Sequence, residues 1–260
     1  MTSESGGTPA RRGRDPARRI RDLIRADMHR GAYKDGRLPS EEQLMRQMHV
    51  PRSTIRGAFA LLRDEGLIDR IQGIGTVVAV ELTTMTLEES QGVTPFSPGT
   101  PFGRSRPQVI SHVEVELPPP ITRHLGIPLH SVGTRIDYLA LYLEAPVAVI
   151  TNYIRNPEAQ RLASAAFTTD YYSYLADAGI VTSETTYLME AALADDVDAE
   201  LLGVPVGSPM MLGEQALLNE SGEQFNYAFV RSRGDMSAIL SRARRAAAPE
   251  ITGGPAADQL

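Results

Sequence analysis

Apolar residues in the first eighty positions recur at the spacing of a helix face. Ile20, Leu23, Ile24 and Met28 predict an amphipathic helix that begins after Asp15, an N-cap residue followed by Pro16, and stops before Gly31. Ser40 and Gln43 form an S-x-x-Q capping box, and Pro39 keeps the backbone before it extended, so a second, short helix follows and buries Leu44 and Met48. His49-Val50-Pro51 interrupts the period, and Arg52 to Leu62 resumes it with Ile55, Phe59 and Leu62 on the inner face. The pattern is helix, tight turn, helix. Glu65-Gly66 closes the third helix, and Leu67–Ile71 and Thr76–Val80 predict two strands joined through Gln72-Gly73-Ile74-Gly75. A hairpin placed directly after a helix-turn-helix is a wing.

From Glu81 to about Arg106 the chain is rich in Thr, Ser, Gly and Pro and shows no sustained period, so 81–105 is expected to be a linker. Beyond it the period changes to two. His112–Leu117, Val132–Tyr142, Ala145–Ile154 and Pro209–Leu218 suit strands, interrupted by helical segments near 157–165, 169–178 and 195–202. The fold class is therefore α+β, an N-terminal winged helix-turn-helix over 14–80 and a C-terminal domain over 106–245 built on an antiparallel sheet. The ends, 1–13 and 246–260, are small, polar and rich in Pro and Gly, and are expected to be disordered tails.

Charge sharpens this division. Residues 1–80 carry 15 Lys/Arg against 10 Asp/Glu, a balance of +5, and residues 81–260 carry 11 against 22, a balance of −11. A basic head on an acidic body suggests that the head alone meets a polyanion. The chain has no cysteine, which excludes disulfides and thiolate chemistry and favours a reducing cytoplasm. The longest apolar stretch, Leu139 to Ile150, is broken by Glu144 and Pro146, so no membrane span is expected.

A helix-turn-helix reads DNA by laying its second helix in the major groove, where Arg pairs with guanine and hydroxyls reach bases or phosphates. Arg52, Ser53, Thr54 and Arg56 crowd the first turn of the helix placed for that task. Residues 15–80 resemble the winged helix-turn-helix of the GntR family of bacterial repressors. The resemblance is carried by Arg37-Leu38-Pro39-Ser40-Glu41, Arg52-Ser53-Thr54-Ile55-Arg56, Leu62-Arg63-Asp64-Glu65-Gly66-Leu67-Ile68 and Gly73-Ile74-Gly75-Thr76. It implies DNA contacts by Arg52, Thr54 and Arg56, with Arg37, Ser40, Glu41 and Ser53 in support. It also implies a wing of Gln72, Gly73, Gly75 and Thr76 whose tip enters the minor groove. Glu42, Pro51 and Ile74 stand where the family usually has arginine, serine and arginine, so operator preference is expected to differ from the family norm.

The body resembles more loosely the UTRA effector domain of the HutC-like subfamily, which has a chorismate-lyase-like fold. Its landmarks are Thr134-Arg135, Pro146 to Tyr153, Tyr171-Tyr172-Ser173-Tyr174-Leu175, Ala199 to Val204 and Gly222 to Tyr227 before Arg233-Gly234-Asp235. The resemblance implies an effector pocket lined by Arg135, Asp137, Tyr153, Asp170, Tyr172, Glu190, Asn226 and Tyr227. Sugar-phosphate sensors of the subfamily carry R-x-R on the strand of Arg135 and a serine before the tyrosine helix. Here those second and third positions are Asp137 and Asp170. Two carboxylates repel a phosphate, so the expected effector is neutral or carries an amine; the alternative is that one or both aspartates pair with Arg135 or face solvent, which leaves the charge of the ligand open.

Three functions follow in order. The first is a homodimeric, sequence-specific regulator that binds two-fold symmetric operator DNA and is released from it by an unidentified small-molecule effector, with no cofactor or metal. The second is a dimeric repressor without a ligand. The third, a lyase-like enzyme, finds little support: His29, His49, His112, His124 and His130 lack metal-ligand spacing, and no nucleophile motif is present. Asp195-Asp196-Val197-Asp198 sits where a helix N-terminus is expected, a place that favours carboxylates through the helix dipole.

Overall fold

The computed structural model describes residues 15–79, 83–95 and 102–242; the tails expected at 1–13 and 246–260 lie outside the described residues. Helix α1 (Pro16–His29) starts at Asp15, whose side chain accepts from the Ala17 amide. Helix α2 (Glu41–Met48) carries the complete capping box, Ser40 accepting from the Gln43 amide while the Gln43 side chain accepts from the Ser40 amide. His49 ends it in the left-handed conformation, and α3 (Arg52–Asp64) follows Pro51. The three helices enclose Ile20, Ile24, Leu44, Ile55, Phe59 and Leu62, all buried. Each such side chain contributes about 1.5–3 kcal/mol of transfer free energy. Gly57 lets α1 and α3 approach closely, since a Cβ there would stand 3.0 Å from Ala17 Cβ.

The wing is an antiparallel pair, β1 (Ile68–Ile71) and β2 (Gly75–Val78). Arg37 adds a bridge to Val77, and the Leu38 amide donates to the Thr76 carbonyl, so the segment before α2 serves as a third strand of the wing.

The body is a six-stranded sheet whose strands are β4 (Arg106–Glu116), β5 (Val132–Tyr142), β6 (Ala145–Arg155), β7 (Glu184–Leu193), β8 (Pro209–Leu218) and β9 (Gln224–Arg233). Their order is β4-β5-β6-β9-β8-β7, with every neighbouring pair antiparallel. One face carries Ile136, Tyr138, Ile150 and Ile154 against α6 (Glu158–Leu162) and α7 (Tyr171–Asp177). The other carries Tyr227 against α5 (Pro119–His124), and Leu139, Leu141 and Val149 against α8 (Asp196–Leu202). Asp195 caps α8 by accepting from the Asp198 amide, the structural use expected of that acidic cluster.

Part of the stretch expected as a linker is built into the body. Thr83–Thr86 forms β3, which pairs in parallel with β10 (Ser237–Leu240), and Leu87–Ser90 forms a one-turn helix, α4, with its own capping box between Thr86 and Glu89. Its composition is loop-like, but Met85 is buried in the main core and Glu89 and Ser90 are also buried. Tertiary packing overrides local propensity here.

Candidate DNA-binding surface and ligand cavity

Part of the set of residues expected to contact DNA comes together in one groove of the head. Ser40, Glu41, Arg52, Arg56 and Thr76 line a shallow groove between the start of α2, the start of α3 and the wing. Arg52 is largely exposed, and its Nε donates to Glu41 Oε2 at 2.9 Å. That bond orients the guanidinium and leaves its two terminal nitrogens as a fork suited to the edge of guanine. Arg56 is exposed and has no ion pair among the described residues. Pro51 provides no side-chain cap to α3, which leaves first-turn amides for a phosphate.

Gly73 and Gly75 have φ of +80° and +113°. L-residues with a Cβ rarely adopt such angles, so the tight wing tip depends on both glycines. Ile74 stands exposed between them. Two further cations, Arg63 at the end of α3 and Arg70 on β1, line the same groove. Only the packing of the wing beside α3 brings them there. The one available sequence signal was their position on the polar side of amphipathic elements.

The eight residues expected to line an effector pocket do not converge. Register pairs Arg135 with Tyr153 and Tyr153 with Tyr227, so these three share one face of the sheet. Asp137 lies two residues from Arg135 on that face, with its Oδ2 2.9 Å from Arg135 Nε and its Oδ1 accepting from Thr151 at 2.8 Å. Tyr227 packs under α5, stacks on His124 and donates to Glu214 at 2.6 Å. Burial and Glu214 together push its hydroxyl up to about 12. Glu190 is exposed on β7 opposite Leu212, which pairs with Arg231 and through it with Val149, again on the face of α5 and α8. Asn226 lies on the opposite face, fully buried, and accepts from the Tyr171 hydroxyl at 2.9 Å. Of the eight, Asp170 and Tyr172 alone line the cavity described next.

That cavity opens on the α7 face and encloses about 90 Å³. Its floor is β5, β6, β8 and β9, where Ala140, Ala148 and Ser232 are small enough to leave space. Gly213 is in the same floor, and a Cβ on it would lie 2.3 Å from the Tyr187 hydroxyl. Strand parity puts Tyr138 and Ala140 on this face and sends Arg135 and Asp137 to the other. The expected reversal of field by Asp137 therefore does not reach the cavity.

The roof comes from two places. Asp170 caps α7, accepting from the Tyr172 and Ser173 amides and the Ser173 hydroxyl, and Tyr171 and Tyr172 follow it. Met85 and Ser90, from the segment that joins head to body, complete the wall. Tyr172 donates to the Ser90 carbonyl at 3.2 Å, Gln215 Nε2 donates to the same carbonyl at 3.2 Å, and Gln215 also donates to the Tyr172 oxygen. Gly92 lies flat on the Tyr172 ring, where a Cβ would approach to 2.1 Å. Burial raises the hydroxyls of Tyr138, Tyr171, Tyr172 and Tyr187 above the usual phenol range, so all four are neutral.

A capped helix-turn-helix with a glycine-tipped wing, tethered through a segment that walls a cavity in a second domain, is the build of a DNA-binding transcriptional regulator. Comparison with known proteins supplies the family. Residues 16–78 match "Bacterial regulatory proteins, gntR family" and residues 103–237 match "UTRA domain". The chain belongs to the GntR family, in its HutC-like branch with a UTRA domain. It is 30% identical over 199 residues to the histidine utilization repressor of Pseudomonas aeruginosa, covering 75% of this chain and 78% of that one. It is 26% identical over 220 residues to the HTH-type transcriptional repressor NagR of Bacillus subtilis, covering 83% and 89%. In fold it is similar to PhnF from Mycobacterium smegmatis, with a TM-score of 0.57 and 19% identity over 86% of this chain and 99% of that chain. Among the described residues no helix is long and apolar enough to cross a membrane.

Proposed function

We propose that this regulator represses transcription as a cytoplasmic homodimer on a two-fold symmetric operator, and that a small molecule in the α7 cavity releases it. The observation that carries the reading is the shared carbonyl of Ser90. The segment that leaves the wing is part of the cavity wall, held there by Tyr172 and Gln215. A ligand that favours another position of this wall favours another position of the head, and it weakens operator binding only as far as it prefers that second geometry.

On the DNA, Arg52 and Arg56 read base edges, while Ser40, Ser53, Thr54, Arg63 and Arg70 meet phosphates. Arg37, Gln72, Gly73, Gly75 and Thr76 shape and present the wing, and Glu41 positions Arg52 through their hydrogen bond. One recognition helix covers few base pairs, so specificity requires paired half-sites. Exposed apolar residues on the edge strands, Val109, Ile110 and Val113 on β4 with Leu188 and Met189 on β7, are available to a second copy.

The test is selection of duplexes from a random pool, then anisotropy and sedimentation with the selected site. Palindromic half-sites bound by two chains are expected. A monomer on an asymmetric site sinks the dimer reading, and a selected site whose affinity no metabolite pool alters sinks regulation by a ligand.

A further inference from the structure

The α7 cavity contains a buried amide that no described residue satisfies. Asn152 lines the cavity and is 1% exposed, and among the described residues neither its Nδ2 nor its Oδ1 has a hydrogen-bond partner. The Tyr138 hydroxyl is near enough to feel the amide, but the pair does not meet hydrogen-bond geometry. A buried carboxamide without partners is costly, and leucine of similar size would avoid the cost. An amide kept at such a place is explained by a partner that arrives from outside.

The charged groups of the wall are already engaged. Arg106 is paired through two nitrogens with Glu144 and is half-exposed. Asp170 is committed to the α7 N-terminus. A phosphate entering here would have to displace Glu144 to gain a cation, and an amine would have to compete with the helix cap for Asp170. The remaining wall is apolar or neutral, with Met85, Ile150 and Val230 beside the four un-ionised tyrosines. These surroundings favour an uncharged ligand with an apolar body.

A primary carboxamide or a lactam presents its N–H and C=O side by side. It can donate to Asn152 Oδ1 while accepting from Asn152 Nδ2, which satisfies both atoms at once. A carboxylate cannot donate, and an ammonium cannot accept. Resting on the reading of this cavity as the effector site, we infer that it takes a neutral carboxamide or lactam with an apolar body, paired in two hydrogen bonds with Asn152, and that it discriminates against phosphorylated ligands.

Calorimetric titration of the full chain tests this with four probes of matched or contrasting charge: benzamide, benzoate, benzamidine and glucosamine 6-phosphate. Benzamide is expected to bind at least about tenfold more tightly than benzoate or the phosphosugar, the scale of one well-made hydrogen bond. Asn152→Leu should lose that binding while the melting temperature of the free protein rises, an effect opposite to the loss of a structural amide. Asn152→Asp should move the preference from benzamide to benzamidine. Unchanged benzamide binding by Asn152→Leu, a fall in its melting temperature, tighter binding of glucosamine 6-phosphate, or no benzamide binding at all overturns the inference.

Operator affinity measured in the same titrations separates the two readings. A phosphosugar that binds and shifts operator affinity sinks the ligand class and leaves the effector cavity standing. Benzamide that binds through Asn152 without any change in operator affinity leaves the ligand class and sinks the regulatory role.

Discussion

The phenol of Tyr172 donates to the backbone carbonyl of Ser90 across 3.2 Å, tying the first helix turn of the joining segment to the roof of the cavity. Tyr172→Phe removes this bond and the one that Gln215 donates to the Tyr172 oxygen, and leaves only the bond from Gln215 to the Ser90 carbonyl. The expected loss of stability is modest, about 0.5–1.5 kcal/mol per bond. The expected local effect is larger: amides of residues 87–93 should exchange with solvent faster than the sheet around them. Gly92→Ala should do more, because its φ of +69° disfavours a side chain and the Cβ would strike the Tyr172 ring. Exchange unchanged in both variants contradicts the tie.

Arg52→Ala and Arg56→Ala should each weaken operator binding by about 1–3 kcal/mol if they read guanine edges. Glu41→Ala should cost less, and its cost should vanish when Arg52 is already alanine, because Glu41 acts by orienting Arg52. Additive losses in that double-mutant cycle would show an independent role for Glu41.

Arg63→Ala and Arg70→Ala should weaken binding about equally on specific and random duplexes. Each should reduce the dependence of binding on salt by about one counterion. Anisotropy titrations from low to moderate salt measure the slope, and a slope equal to that of the parent rules out a phosphate contact.

Burial, with Arg25 adding to it, holds the His29 imidazole below its usual pKa in the folded head. The unfolded chain takes up a proton near pH 6.5 that the folded head resists. Stability of the head should therefore fall as pH drops below about 6.5, by no more than about 1.4 kcal/mol per pH unit for one proton. Urea unfolding from pH 7.5 to 5.5 measures this, and His29→Gln should flatten the dependence. A parent with a flat profile in that window excludes the effect.

Gly57→Ala places a methyl 3.0 Å from Ala17 Cβ where α1 crosses α3. The helix propensity of alanine favours the change by about 1 kcal/mol, and overpacking of the crossing opposes it by about 1–3 kcal/mol. Net destabilisation is expected, and thermal unfolding decides the sign.

The head was legible in the sequence because its signals are local. Asp15, the Ser40–Gln43 box, Pro51 and Gly66 mark helix ends through groups a few residues apart, and the 3.6-residue period selects the buried side chains. Parts of the body were not legible in that way. Glu184–Leu193 is an edge strand with much of both faces exposed, so it lacks alternation, and pairing with β8 makes it a strand. Thr83–Ser90 reads as loop and becomes structure by docking against β10 and the core.

Helix caps and periodicity act over one or two turns, so the two-part architecture, the recognition helix and the cationic side chains at its start are local properties of the chain. Which face of the sheet each body residue serves is a matter of long-range strand pairing. A strand shows its neighbours to opposite sides, so one step in register exchanges cavity wall for the α5 and α8 face. Arg135 and Asp137 went to that far face, Tyr138 and Ala140 to the cavity, and Asn152 came under the joining segment through long-range pairing that no local pattern encodes.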